Sequence, residues 1–133
     1  MSQENIDVVR RMLDAFNRGD VDAVIAAFHE GCEVSEPPEM PDRPALGFHG
    51  HDGIREWMTN LREVAGVEFR PRSFTTSGDV IVTELASRGQ GQASGVPVEW
   101  TTFAVLRVRE GKIARAQGFL SRDEALKAAG LPE

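Results

Sequence analysis

The hydrophobic spacing of this chain changes once, near residue 67, and that change constrains the fold more than any motif. Before it, apolar residues recur at steps of three and four. Ile6, Val9, Leu13 and Phe16, widened by Val8, Met12 and Ala15, mark an amphipathic helix. Gly19 can close that helix and Asp20 can cap the next, whose apolar side is Val21, Val24, Ile25 and Phe28. Ile54, Trp57, Met58 and Leu61 give a third helix, starting near His51 or Asp52. Beyond the change the pattern suits strands: one beginning at Val67 and Phe69, a turn at Ser77 to Asp79, then 80–89, 96–108 and 112–120. Glu110-Gly111 reads as a two-residue hairpin turn. Ser121 and Glu124 form a capping box opening a short last helix that stops at Gly130 and Pro132.

Helices followed by antiparallel strands predict an α+β fold. One domain is expected over 1–133, since 133 residues suit a single core. A short extended piece at 33–36 ends at Pro37 and Pro38. The stretch 37–50, with four prolines, reads as a loop that suits a lid or pocket rim. GQGQASG, 89–95, is a brief connection.

Charge and cysteine content narrow the functional classes. A net charge of −6 argues against nucleic acid or an anionic membrane as partner. No apolar run approaches a membrane span, and the first residues do not resemble a signal peptide. The single cysteine, Cys32, precludes an internal disulfide and fits a reducing compartment, so a cytoplasmic protein is expected.

The hairpin turn sets an expected register: Arg109 opposite Lys112, Val105 opposite Ala116, Phe103 opposite Gly118, Thr101 opposite Leu120. Phe103, Ala116, Gly118 and Leu120 would then share the helix-covered face. Trp100, Leu106, Val108, Ile113 and Phe119 would lie on the other. An apolar outer face needs a cover, either a second copy of the chain, giving a homodimer through the sheet, or a loop or the last helix.

Three segments, VVRRMLDAFNRGDVDAVIAAF, CEVSEPP and GFHGHDGIREW, together with the closing REGKIARAQGFLSRDEALKAAGL, resemble SnoaL-like proteins of the nuclear-transport-factor-2-like superfamily, which includes ketosteroid isomerases. The similarity spans nearly the whole chain. It implies a cone-shaped, strongly curved, mostly antiparallel sheet, three helices from the N-terminal half covering its concave face, a short C-terminal helix, a pocket between, and frequent dimerisation. It implies no single activity.

Carried over residue by residue, the resemblance puts Glu36 at the position of the isomerase base. The tyrosine donor falls at Met12, and the protonated aspartate at or near Phe103, so both enolate-stabilising donors are replaced by apolar side chains. The arginine and aspartates of limonene-epoxide-hydrolase-like enzymes fall near Leu85, Ser87 and Gly118, and none matches. The acid of SnoaL-type cyclases is missing at Ala116 and Gly118.

Glu36 and His49 are therefore the candidate catalytic residues. Glu36 acts as base or receives a hydrogen bond from a ligand, or is a rim residue; burial among apolar walls would disfavour its charged form. His49 or His51 reaches the pocket mouth, or His51 and Asp52 cap the third helix while His49 is solvated. His29 is placed at the C-terminal dipole of the second helix. The expected pocket lining is Met12, Phe16, Trp57, Leu61, Thr83, Leu85, Ser87, Phe103, Ala116, Gly118 and Leu120. No metal spacing is convincing, and no cofactor is implied. The expected function is binding of a small, mostly apolar molecule. The alternatives are a lyase, isomerase or cyclase acting on a polyketide- or terpenoid-like substrate with Glu36 as general base, and a non-catalytic dimeric scaffold.

Overall fold

The computed structural model describes residues 2–37, 47–64, 66–90 and 95–132. Most of the expected 37–50 loop and the centre of the 89–95 connection lie outside them. Helix α1, Ser2–Arg18, buries Val8, Val9, Met12, Leu13, Ala15 and Phe16, the expected stripe. It stops at Gly19, whose φ of 75° is the left-handed turn expected there, and Asp20 caps α2, Val21–Ala26, by accepting from the Ala23 amide at 3.1 Å. Phe28, expected on α2, instead begins β1, Phe28–Ser35. After β2, Gly47–His49, comes α3, Gly50–Met58, continued by a π-helical stretch, Thr59–Val64. Then follow β3, Glu68–Ser77; β4, Val80–Gln90; β5, Pro97–Arg109; β6, Lys112–Phe119; and α4, Arg122–Ala129. Ser121 caps α4 as expected, accepting from the Glu124 amide, and Gly130 ends it at φ 74°.

The six strands form one curled sheet in the order β2-β1-β6-β5-β4-β3. It is mixed: β1 runs parallel to β6, and every other pair is antiparallel. That parallel pair comes from chain segments about eighty residues apart, and local spacing contains no trace of it.

The expected β5–β6 register is displaced by a bulge. Arg109 does face Lys112 across Glu110-Gly111, both at positive φ as a tight hairpin turn demands. Val108 then faces Ile113, but Arg107 faces Arg115, so Ala114 is left over. Beyond it Ala104, not Phe103, lies opposite Gly118, and Leu106, not Val105, opposite Ala116. One extra residue moves side chains to the other face.

The face assignment changes accordingly. Leu106, Val108 and Ile113, expected on an outer dimer face, are 2%, 3% and 0% exposed inside the main core, and Trp100 packs against them. Phe103, expected on the helix-covered face, is on the opposite one, paired with Phe119. There Val80, Val82 and Val105 are covered by Ala125 and Leu126 of α4, with Phe103 and Phe119 half-buried beside them. The last helix covers this apolar patch. Glu84 extends the same face, bridging Arg72 at 3.3 Å and Arg122 at 3.7 Å. No helix among the described residues is long and apolar enough to cross a membrane.

Candidate functional site

Small side chains make the hollow. Ala104 and Gly118 are cross-strand partners and Ala116 lies two residues before Gly118, so three neighbouring positions on the inner face carry little or no side chain. Above them α1 contributes Val9, Met12 and Leu13, and the third helix and its π-helical extension contribute Trp57 and Leu61. The result is a cavity of about 70 Å³, its wall on the sheet side formed by Leu85, Trp100, Thr102 and Leu106. Phe16 stands behind the wall, its ring 5.0 Å from that of Trp57 and 5.1 Å from that of Phe69. Asn17 fixes α1 to β3 like a short strand: its side-chain amide donates to the Phe69 carbonyl at 2.7 Å and accepts from the Phe69 amide at 3.0 Å.

Glu36 lines this cavity and is 8% exposed. Its placement follows from the parallel pairing. Val34 faces Ala116 and Ser35 faces Gln117, so the next step brings Glu36 level with Gly118, on the same face as buried Val34. Pro37 then closes over Gly118: a Cβ built on that glycine would stand 2.9 Å from the proline Cδ. A carboxylate at such a site can accept a hydrogen bond from a bound molecule or take a proton from it.

The histidines are elsewhere. His49 is exposed on β2, opposite Glu33, with Val34 and Phe48 sharing the other face; it is not among the residues lining the cavity. It is the residue before α3 but makes no side-chain capping bond. His51 lies within the first turn of α3, and its Nε2 sits 3.0 Å from the Phe28 carbonyl, tying the helix to the start of β1. His29 is a strand residue, since β1 starts earlier than its local spacing suggests, and its Nε2 lies 2.7 Å from the Arg109 carbonyl. No cluster of metal-ligating side chains occurs among the described residues. Cys32 is buried, and desolvation pushes its thiol above the ordinary range despite backbone hydrogen bonds that act the other way.

Of the expected lining, Met12, Trp57, Leu61, Thr83, Leu85, Ala116 and Gly118 border the cavity. Phe16 is one layer behind it, Ser87 touches it through Thr102, and Phe103 and Leu120 are not among the lining residues. Sequence reasoning missed Trp100, Thr102, Ala104 and Leu106, which the displaced register had put on the other face. Their alternation with the outward Thr101, Phe103 and Val105 was the available signal. The inner hydroxyls form bonds of their own. Thr83 donates to the Ser73 carbonyl at 2.9 Å. Thr102 Oγ1 accepts from Trp100 Nε1 at 3.0 Å and from Ser87 Oγ at 2.9 Å.

A family model described as a SnoaL-like domain matches residues 9–116. No curated protein matches the chain. Among solved structures, TerC co-crystallised with polyporic acid superposes with a TM-score of 0.77 at 20% identity, over 96% of this chain and 98% of that one. A candidate polyketide cyclase from Xanthomonas campestris pv. campestris gives 0.74 at 20% identity, over 96% and 97%. A ketosteroid-isomerase-like protein from Catenulispora acidiphila, in complex with trimethylamine, gives 0.74 at 18%, over 94% and 93%. At these identities the likeness is one of fold.

Proposed function

The chain belongs to the SnoaL-like domain family, and from that premise we propose that it binds a small, mostly apolar molecule in the cavity between sheet and helices, with Glu36 accepting a hydrogen bond from a ligand hydroxyl or amine. The observation that carries this reading is a buried carboxyl in the wall of a largely apolar hollow. A fold that needed only stability would fill such a space, because each unfilled methylene-sized gap forfeits packing contacts. Room for one water needs only about 10–15 Å³, and this cavity is several times larger at about 70 Å³. Its apolar walls would hold water poorly and an apolar molecule well. TerC was co-crystallised with polyporic acid and the Catenulispora protein is in complex with trimethylamine, which supports small-molecule binding by proteins of this fold.

A second reading, an isomerase, lyase or cyclase acting on a polyketide- or terpenoid-like substrate with Glu36 as base, draws on the same carboxyl and on the candidate polyketide cyclase among the similar structures. Against it, Met12 and the outward-facing Phe103 offer no donor to an enolate at the two positions where an isomerase holds one. Native mass spectrometry of the purified protein separates binding from its absence: a co-purified small molecule is expected, lost on unfolding and bound more weakly by Glu36→Gln. Ligand binding unchanged in the glutamine variant would remove Glu36 from the site. Deuterium uptake from solvent at the α-carbon of a bound ketone, lost in the same variant, would favour the enzyme reading.

A further inference from the structure

The outer face of the β5–β6 hairpin carries an arrangement of charge that folding alone does not favour. Arg107 and Arg109 follow Val105 at alternate positions of β5, on the face that α4 covers. Lys112 faces Arg109 and Arg115 faces Arg107, so the hairpin holds two like-charged cross-strand pairs side by side. Like charges directly opposite destabilise a strand pair. The bulge at Ala114 creates the second pair. In an unbulged hairpin Ala114 would face Arg107, and Arg115 would face buried Leu106 on the inner side. The extra residue turns Arg115 outward beside Arg107, and bulges often re-aim a side chain in this way next to a site.

The protein offsets this charge weakly. Among the described residues Asp79 is the one carboxylate paired with any of the four cations, and it is shared, 3.9 Å from Arg107 and 3.7 Å from Arg109. Both separations exceed the roughly 2.7–2.9 Å of a charge-assisted hydrogen bond. Glu33 is level with Arg115 on β1, but no ion pair joins them. Farther along the same face, by contrast, Glu84 accepts a hydrogen bond from Arg72 at 3.3 Å.

We propose that Arg107 and Arg115 form a binding site for a small phosphate-type oxyanion, on the opposite side of the sheet from the inner cavity. Directly opposed residues of an antiparallel pair have Cα atoms about 4.5–5.5 Å apart, so two guanidinium groups can converge on one anion. Each presents a planar fork of N–H donors that matches two oxygens of a tetrahedral oxyanion. A dianion offsets both charges at once and removes the repulsion between them. Arg109 and Lys112 add longer-range attraction. Asp79, Glu33 and Glu110 flank the cations, so the basic surface is too short for a nucleic acid and suits a single small anion.

The test is an NMR titration of the whole chain with sodium phosphate at pH 7.5, sodium chloride being adjusted to hold ionic strength constant. Amide and arginine side-chain shifts should saturate with Kd on the order of 1 mM, and be largest at Arg107 and Arg115. Arg107→Gln and Arg115→Gln should each weaken binding by about tenfold. Arg88→Gln, which removes an exposed arginine from β4, should leave it unchanged. Phenyl phosphate separates the two sources of such a group: tighter binding than inorganic phosphate at the same two arginines assigns the site to a phosphate ester, and equal binding to the free anion. Shifts that grow linearly without saturating, that spread alike over all arginines, or that persist in Arg115→Gln would overturn the proposal. The wild-type titration needs no variant, so a poorly folding glutamine substitution does not rescue it.

Discussion

Gly118→Ala tests how the site is built. The glycine sits in β6 opposite Ala104, with Pro37 packed on it, and an added Cβ would lie 2.9 Å from Pro37 Cδ and 3.3 Å from Cγ. Real Cβ atoms do not approach so closely, and a proline ring has little freedom to retreat. Overpacking of this kind costs about 1–3 kcal/mol. Against it, alanine is favoured over glycine within a strand by roughly 0.5–1 kcal/mol. The net expectation is a loss of about 1 kcal/mol, lowering Tm by roughly 3–6 °C for a domain of this size. Because Pro37 follows Glu36, relief of the clash should also displace the carboxyl and weaken ligand binding. Gly31→Ala is the control: its added Cβ meets nothing within 4 Å, so it should be neutral or stabilising by up to about 1 kcal/mol. Thermal unfolding followed by circular dichroism measures both. A Gly118→Ala protein melting at or above wild type, with Gly31→Ala behaving as stated, would refute the packed Pro37–Gly118 contact.

Glu110 holds φ at 52° in the β5–β6 turn, a conformation that costs a non-glycine residue roughly 1–2 kcal/mol and that asparagine tolerates better. Glu110→Asn should therefore raise stability by about 0.5–1 kcal/mol in denaturant titration, and a loss would mean that the turn is not of this kind. Cys32 should resist iodoacetamide at pH 8 until the protein is unfolded, since it is buried and its raised thiol value leaves little thiolate. The unfolded chain loses that proton first, so this group makes folding stability fall as pH rises through about 8.5, the ordinary thiol value. Stability that rises over that range in wild type relative to Cys32→Ala would contradict the burial.

Local chemistry was legible wherever the determinants are local. The α1 stripe, the Asp20 and Ser121 caps, the Gly19 and Gly130 stops and the Glu110-Gly111 turn all follow from side chains within a few positions of one another. The family resemblance singled out Glu36, and its burial rests on neighbours that spacing alone does not supply. The bulge at Ala114 was not legible: a strict hairpin register and one with an extra residue share the same turn, and only tertiary packing selects between them. That single residue cost the assignment of Trp100, Thr102, Ala104 and Leu106 to the cavity and of Phe103 to the face under α4. The β1–β6 pairing and the brief β2 strand depend on contacts across the chain. His49 looked well placed because it lies near the rim in sequence, yet strand alternation turns it away from the face that Val34 and Phe48 share.

The central claim is that small apolar molecules bind in the inner cavity, and methyl-resolved NMR during titration with ethylbenzene tests it most directly. Shifts are expected to concentrate on Met12, Leu13, Leu61, Leu85 and Leu106, which line the cavity, with Leu126 of α4 and Val80 and Val82 beneath it unmoved. Shifts centred on the α4 cluster, or none at saturating probe, would contradict it.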